Sequence, residues 1–344
     1  MNRRTRIFLF VAAGILVAGL GTGLVASYVG LQNLPVIGGN GLAEFAYVPE
    51  DAGLVAYANV HDVMASELRR RLEAIHPQGG DGARSFQEHT GIDVEKDIDY
   101  VVAAVVKAPE TEGPPLVLAR GRFDQARLEE LAKQESATSE DYQGARVVTR
   151  GDFALAFVEP GLVAVGAPAV VRKAIETKSA GGRNVGDNTE LMRLVRNVDD
   201  GTVWAVARFD ALTSDRLPQD VRSKLPKISW FSAKGVIGAG VDGQLQVEAV
   251  DDTSAQDLRQ VIQGFLALAR LQVGNQAGLT ELINSLQLGG EGKTVSLSFS
   301  LPPEILDALG AIRAQRPRLP QLPPETPLPQ VAPDAPRAPA PPAL

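Results

Sequence analysis

The sequence predicts an α+β fold: an internally duplicated body of mostly antiparallel sheets with helices packed on one face, preceded by one transmembrane helix. Three observations lead to this prediction. An uncharged apolar run follows three N-terminal arginines, short apolar strands alternate with amphipathic helices after residue 45, and the order of these segments recurs in the second half of the chain. Turns between neighbouring strands outnumber longer crossovers, which favours antiparallel pairing.

Residues 7–31 form the predicted transmembrane helix, because Phe, Leu, Val, Ile, Ala and Gly dominate this stretch. As a helix it would span roughly 37 Å, enough for a hydrocarbon core of about 30 Å. Arg3, Arg4 and Arg6 precede it, and no basic residue follows closely. The positive-inside rule therefore places residues 1–6 in the cytoplasm and the rest of the chain on the periplasmic side of a bacterial inner membrane.

A cleaved signal peptide is the alternative interpretation of this segment, since residues 25–27, Val-Ala-Ser, resemble a small-residue cleavage site. Both interpretations export the rest of the chain, which continues with a linker over residues 32–44. Gly19 and Gly23 have the G-x-x-x-G spacing that lets two membrane helices approach closely, so a homodimer through them is one partner hypothesis. The alternative is the ordinary abundance of glycine in membrane helices.

Residues 317–344 hold 11 of the 23 prolines of the chain. Each proline fixes φ and removes a backbone donor, so the segment predicts a disordered, partly polyproline II tail. It is either a plain solvated tail or a docking segment for another envelope protein.

Composition excludes several classes of chemistry. The chain has no Cys, so it forms no disulfide, zinc ribbon, iron–sulfur cluster or thiol nucleophile, and its three His leave little for a metal centre. A formal net charge of -7 argues against nucleic acid as a partner.

The first predicted repeat, residues 45–197, alternates strands and helices. Its first strand leads into a helix capped by Asp62, with an apolar face and with Arg69, Arg70 and Arg71 on the outside. The later elements are strands 100–106 and 116–119, a helix capped by Asp124, strands 146–149, 153–158 and 162–165, and a helix that starts near Pro168.

The second predicted repeat, residues 198–316, follows the same order after a seam near residues 197–201. Residues 200–209 align with residues 51–60, so that the Asp and two Ala positions match. Two further segments recur in the same order, each a strand followed by a helix: 245–271 echoes 116–134, and 294–305 echoes 162–170.

Two glycine-rich motifs resemble nucleotide sites without their context. The motif at residues 289–294, GGEGKT, has Gln287 where a phosphate-binding loop needs glycine, and a strand follows where a helix is required. The motif at residues 238–243, GAGVDG, also precedes a strand, and its Asp242-Gly243 pair predicts a hairpin turn. We therefore expect no nucleotide and no other cofactor.

The acidic run at residues 93–99 fits a calcium loop poorly. Ile98 and Ala104 stand where such a loop needs a glycine and a bidentate glutamate. A helical turn capped by Asp93 explains the same residues, so we expect no metal site.

Signatures of catalysis are absent from the sequence. No Ser lies in a G-x-S-x-G or S-x-x-K motif, and His61, His76 and His89 have no catalytic pattern around them. We therefore predict no catalytic residue. A hydrolase that uses paired carboxylates stays open as an alternative, since 41 acidic residues offer too many pairs to choose among.

The predicted helix at residues 255–273 is unusually apolar. A place in the protein core explains this composition. The sharper hypothesis is that Val261, Ile262, Phe265 and Leu266 line a cavity for an acyl chain or another apolar ligand.

Three stretches, at residues 47–60, 90–99 and 286–300, resemble a bacterial family of membrane-anchored exported proteins to which no activity is assigned. The resemblance covers most of residues 45–310. It implies an envelope location and a duplicated α+β body, and it offers no catalytic residues to transfer.

The sequence as a whole predicts a non-catalytic, single-pass, signal-anchor protein of the cell envelope. Its periplasmic body would be a binding or scaffolding module. A carrier of a lipid or another apolar ligand is the first alternative, and an unrecognised hydrolase is the second.

Overall fold

A computed structural model describes residues 42–75, 87–88, 90–106, 113–209, 227–272 and 277–304. The strands found there are β1 Leu54–Asn59, β2 Ile98–Val105, β3 Leu116–Gly121, β4 Thr138–Tyr142, β5 Ala145–Arg150, β6 Phe153–Glu159, β7 Leu162–Gly166, β8 Val203–Arg208, β9 Ile228–Ile237, β10 Val241–Ala249, β11 Gln287–Gly289 and β12 Thr294–Leu301. They form one sheet in the order β11-β12-β10-β9-β8-β1-β2-β3-β7-β6-β5-β4. All neighbouring strands in it are antiparallel.

The helices of the described ranges lie between these strands. The α-helices are α1 Val60–Ala65, α2 Glu67–Ile75, α3 Val94–Asp97, α4 Gln125–Gln134, α5 Pro168–Ser179, α6 Thr189–Val195, α7 Asp252–Gln272 and α8 Ala277–Ser285. Two short 3-10 helices are η1 Leu42–Tyr47 and η2 Val185–Asp187. The fold is therefore α+β, as predicted.

The predicted anchor and tail lie outside the described residues. This applies to segment 7–31 and its contact glycines, to the orienting arginines and to residues 317–344. Within the described ranges, no helix is both long enough and apolar enough to cross a membrane.

The two halves of the chain meet at the centre of the sheet, where β1 pairs with β8. Ala56 lies opposite Ala205, and Leu54 lies opposite Ala207, so the register is symmetric about the alanine pair. From this centre the first half adds β2, β3 and β7 outward, and the second half adds β9, β10 and β12. The strands of the two halves therefore extend outward in opposite directions from this central pair.

Helices cover both faces of the sheet, which corrects the prediction of helices on one face. Val55 and Tyr57 of β1 belong to a buried cluster that includes residues of α5 and α6. The intervening Ala56 belongs to a second cluster, against which Val60 of α1 and Val94 of α3 pack. The central strands are apolar at nearly every position. Strands of this kind have to be covered on both faces, so helices pack on both sides of the sheet.

The helix predicted after β1 is interrupted, and its cap differs from the prediction. The N-cap is Asn59, whose side chain accepts a hydrogen bond from the Asp62 backbone N–H at 3.0 Å. Ser66 separates α1 from α2. Arg69, predicted on the outside, is fully buried, and its Nη2 donates to Glu95 Oε1 at 3.1 Å.

Several other local predictions were confirmed, whereas the strands β4 and β11 were missed. Asp93 and Asp124 cap helices, and Pro168 begins α5. Strand β4 escaped prediction because four of its five residues are exposed and its sequence, TSEDY, has no apolar alternation.

The buried pair of Arg69 and Glu95 makes a first prediction. Glu95→Ala leaves the Arg69 guanidinium buried without its carboxylate, so we expect the free energy of unfolding to fall by about 3 kcal/mol or more. Urea unfolding monitored by circular dichroism measures this change. Glu67→Ala is the control, because Glu67 pairs with Arg70 and Arg71 in exposed geometry, where such pairs contribute about 1 kcal/mol or less. Equal losses in both variants would contradict the prediction.

Candidate functional site

Helix α7 carries the residues that the sequence indicated for an apolar ligand. Ile262 packs against a small buried cluster on the sheet, and Leu266 is half-buried. Val261 and Phe265 are 47% and 68% exposed. The four residues therefore divide between the side of α7 that faces the sheet and a side that faces solvent.

The solvent side of α7 is an apolar stripe, a term used below for four residues: Val261, Phe265, Leu268 and Leu271. Their exposed fractions run from 47% to 82%. Spacings of four, three and three residues place them along one side of the helix. The other exposed large apolar side chains of the described ranges are scattered: Val236, Leu245 and Val250. The stripe is therefore the main exposed apolar feature of the described body.

The sheet beneath α7 is apolar on the face that the helix covers. Leu245 pairs with Leu297, which pairs with Leu288, and Leu288 packs against the α7 cluster. Cross-strand partners share a face of the sheet. Leu245 therefore lies on the α7 face, and its 38% exposure shows that α7 covers that face only in part.

The GGEGKT motif is a turn that α7 holds in place. Arg259 Nη2 donates to the carbonyl oxygens of Gly290, Gly292 and Thr294 at 3.4, 2.8 and 2.7 Å. Lys293 Nζ donates to the Val250 carbonyl at 2.9 Å. A phosphate-binding loop turns its N–H groups towards the ligand, whereas this loop turns carbonyl oxygens towards an arginine of the same chain. The strand predicted after the motif is β12.

The GAGVDG motif joins β9 to β10, as expected, but its turn lies earlier than predicted. The turn occupies residues 238–240, and Asp242 and Gly243 already belong to β10. Gly243 is needed for packing, because a Cβ there would stand 2.1 Å from the Phe299 ring. The Asp-Gly pair, an ordinary hairpin-turn signal, therefore lies within a strand here, where the glycine leaves room for the Phe299 ring.

The acidic turn at residues 93–99 uses its carboxylates internally. Asp93 Oδ1 accepts hydrogen bonds from the backbone N–H groups of Glu95 and Lys96 at 3.2 and 3.4 Å, and Lys96 Nζ lies 2.8 Å from Oδ2. Across the described ranges, no group of three or more His, Asp or Glu is placed to hold a metal ion.

Of the three histidines, the described ranges contain His61. His61 lies on α1, with Nδ1 at 3.4 Å from Asp62 Oδ1. His76 and His89 lie outside the described residues.

A buried polar cluster holds η1 against the sheet. We call it the Glu44 cluster: Glu44, Tyr47, Tyr100, Arg120 and Glu159. Glu44 is fully buried, and its Oε1 accepts from Tyr100 OH at 2.9 Å, from Arg120 Nε at 3.0 Å and from Arg120 Nη2 at 2.6 Å. Arg120 Nη2 also donates to Glu159 Oε2 at 3.3 Å, and Tyr47 OH donates to Glu159 Oε1 at 2.9 Å. The last residues of the predicted 32–44 linker are thus part of the body.

Burial and hydrogen bonds raise the pKa values of the two tyrosines in this cluster, and hydrogen bonds lower the pKa of Glu159. Burial, followed by the hydrogen bond to Glu44, raises the pKa of Tyr100 to about 12. Burial and the hydrogen bond to Glu159 likewise raise the pKa of Tyr47. Burial alone would raise the pKa of Glu159, but hydrogen bonds from Tyr47 and Arg120 outweigh it, so that pKa lies below its usual value. At neutral pH the cluster therefore holds neutral phenols and an ionised Glu159.

Two fully buried polar atoms beside η1 have no hydrogen-bond partner in the described structure: Glu44 Oε2 and Trp204 Nε1. Trp204 stacks on Tyr57 with ring centroids 5.7 Å apart, and Phe45 of η1 meets its edge at 6.2 Å. The aromatic contacts and the Glu44–Arg120 pair together fix η1. The cluster therefore has a structural role: its charged groups pair with one another, although Glu44 does so through Oε1 alone.

A pocket of about 620 Å³ lies at the start of α4, away from α7. Its wall is largely backbone: a Cβ on Gly121 would stand 1.9 Å from the Asp97 carbonyl oxygen, and the Arg127 guanidinium lies against Gly91. Arg122 Nε is 4.0 Å from Asp97 Oδ1, and Asp124 caps α4. The lining contains neither His nor Ser. The polar groups of the lining are the carboxylates of Asp97 and Asp124, the guanidinium groups of Arg122 and Arg127, the Thr90 hydroxyl and backbone groups.

No family model matches this chain, and no curated protein matches it. Among solved structures, the chain is similar to crystal forms III, I and IV of a protein named TP0453. The TM-scores are 0.48, 0.47 and 0.48, and the sequence identities are 10%, 11% and 11%. The likeness covers 78%, 78% and 79% of this chain and 97%, 97% and 96% of those chains. At such identities and scores it says nothing about function.

The Glu44 cluster makes a prediction about pH. With a pKa of about 12 in the fold against about 10 in the unfolded chain, Tyr100 adds stability that is full below pH 10 and is lost as pH rises towards 12. We expect Tyr100→Phe to lower the free energy of unfolding at pH 7 by about 1–2 kcal/mol and to flatten its decline between pH 10 and 12.

Urea unfolding at pH 7, 10 and 11 measures both effects. Tyr142→Phe is the comparison: a hydrogen bond to Glu176 raises the pKa of Tyr142 as well, but this phenol lies on the edge strand β4 and is screened by solvent, so its removal should flatten the decline less than Tyr100→Phe does. A Tyr100→Phe variant with the same stability loss between pH 10 and 12 as the parent chain would refute the assignment.

Proposed function

We propose that this chain is a non-catalytic envelope protein, anchored in the bacterial inner membrane by residues 7–31, whose periplasmic body binds a partner through the apolar stripe of α7. The stripe is the observation that carries the proposal. Monomeric soluble proteins rarely expose contiguous apolar patches larger than a few hundred Å², and such patches mark interaction sites. Other apolar residues of α7 face the sheet, so burial in the core does not explain the stripe.

The sequence of the N-terminal segment supports the proposed membrane anchor. Arg3, Arg4 and Arg6 before an uncharged run favour a cytoplasmic N-terminus. Without these three, 31 basic residues face 41 acidic ones, so the exported part carries -10. Such a body is poorly attracted to anionic lipid, and an anchor rather than surface charge would hold it at the membrane. Gly19 and Gly23, and the tail 317–344, are further proposed contact elements.

We also propose that the two halves of the body arose by internal duplication. It is supported by the central pair, in which Ala56 and Ala205, matched by the sequence alignment, stand directly opposite one another. The outward strand orders of the two halves also correspond. A duplicated body gives one half freedom to diverge, and α7 is more than twice as long as its counterpart α4.

A carrier of an apolar ligand is the second candidate function. The observation in its favour is Leu245, which stays 38% exposed on the apolar sheet face under α7. A ligand there would contact the sheet side of α7, near Ile262 and Leu266, rather than the stripe. Native mass spectrometry of the full chain in mild detergent distinguishes the two: a retained lipid that is lost in Leu245→Ser but kept in Phe265→Ser would favour the carrier.

Membrane topology is tested with single cysteines, because the natural chain has none. We expect Ser139→Cys, on the exposed strand β4, to react with an impermeant maleimide in intact spheroplasts, because the body faces outward. Asn2→Cys should react only after lysis. Labelling of Asn2→Cys in intact cells, or protection of Ser139→Cys, would refute the proposed orientation.

Binding through the apolar stripe is tested by photo-crosslinking in cells. A photoreactive residue at position 265 should give a defined crosslinked product, because Phe265 is the centre of the stripe. The same residue at position 263, an exposed Gln on the opposite side of α7, is the matched control. Identical products at both positions would remove the support for the stripe as a binding surface.

A further inference from the structure

The pocket at the start of α4 contains an arginine that is held by packing rather than by an ion pair. Arg127 lies flat against the backbone of Gly91, where a Cβ would stand 2.2 Å from the guanidinium carbon Cζ. In the described part of the chain, Arg127 makes a hydrogen bond through its backbone N–H and no ion pair or hydrogen bond through its side chain. Because a guanidinium stays charged in proteins, the pocket wall carries a fixed positive charge with no partner in the described fold.

The second arginine of the lining, Arg122, is also weakly paired. Its Nε stands 4.0 Å from Asp97 Oδ1, which is beyond hydrogen-bond distance, and its side chain is 55% exposed. Two guanidinium groups of one pocket are therefore available to a carboxylate, and arginine binds carboxylates with paired N–H donors.

The two carboxylates of the lining each keep one oxygen free. Asp97 Oδ2 accepts a hydrogen bond from the Asp93 backbone N–H at 2.8 Å, and Asp124 Oδ1 accepts one from the Arg127 backbone N–H at 3.0 Å. Within the described ranges, no hydrogen bond reaches Asp97 Oδ1 or Asp124 Oδ2. These two oxygens can accept from an ammonium group, which has three donors and no acceptor.

The rest of the pocket suits a small apolar group. Ile92 and Phe123 are partly buried against the second core cluster, and Leu128 of α4 is half-buried beside them. The volume of about 620 Å³ falls within the range of small-molecule sites, about 300–1,000 Å³. An apolar wall with a few charged groups around it is typical of sites that bind a small molecule in one orientation.

The balance of charge selects the kind of ligand. A simple anion in this pocket would face two carboxylates, and a simple cation would face two guanidinium groups. We propose that the pocket binds a zwitterion with an apolar side chain, an amino acid or a dipeptide. Its carboxylate pairs with Arg122 and Arg127, and its ammonium group pairs with Asp97 and Asp124. The site is separate from the apolar stripe, so it does not depend on the function proposed for α7.

Calorimetric titration of the full chain in mild detergent tests the ligand class. Leucine and leucyl-leucine are the probes, and the tighter of the two shows whether an amino acid or a dipeptide fits. N-acetyl-leucine lacks the ammonium group and leucinamide lacks the carboxylate, so each should bind about tenfold more weakly than leucine, or weaker still. Equal affinity for leucine and N-acetyl-leucine would overturn the zwitterion. An absence of binding by both zwitterions would overturn the site.

Variants of the lining test which side chains bind the two charged groups. Arg127→Gln removes the unpaired charge, and Asp124→Asn removes a carboxylate while keeping a side chain that caps α4 equally well. We expect each to weaken binding of the zwitterion about tenfold, with the urea midpoint of Asp124→Asn close to that of the parent. Lys133→Gln is the matched control, because it removes a positive charge from α4 outside the pocket. Unchanged binding in Arg127→Gln, or an equal loss in Lys133→Gln, would overturn the assignment.

Discussion

The pairing of β1 with β8 is the constraint on which the rest of the fold depends. It joins the two halves of the chain into one sheet and places both strands at the centre, where each is covered on both faces. Small residues such as Ala56 and Ala205 meet there, which lets helices approach the sheet closely. A one-residue slip at this pair would turn the core face of one half to the opposite side of the sheet from the core face of the other half.

Much of this architecture could be predicted from the sequence, because apolar runs and turn residues mark most strands and caps mark several helices. Side-chain alternation is informative only where one face is exposed. In β1 and β8 nearly all positions are apolar, so the pattern showed that the segments were buried but did not show how many faces were covered. The polar strand β4 gives the sequence no apolar pattern, because it is held by backbone pairing with β5 and by side-chain hydrogen bonds that join Glu140 and Tyr142 to residues of α5.

The buried charges were the least predictable part of the molecule. Arg69 looked like one of three surface arginines, and Glu44 looked like the end of a linker, because sequence position does not reveal a partner that is distant along the chain. Glu95 and Arg120 supply those partners in the fold. For α7, the sequence showed an apolar helix. It did not show which apolar side chains stay exposed, because that depends on where the sheet beneath the helix ends.

Among the described residues the sheet is open and ends in the strands β4 and β11, and the edge of a sheet is a template on which another chain can add a strand. The β4 edge presents Glu140 and Asp141, and the β11 edge is three residues long. Acidic side chains repel an acidic copy, and a short edge offers few backbone groups. Both edges therefore disfavour strand addition, so the side-chain surfaces of the described body are where another molecule can bind without extending the sheet.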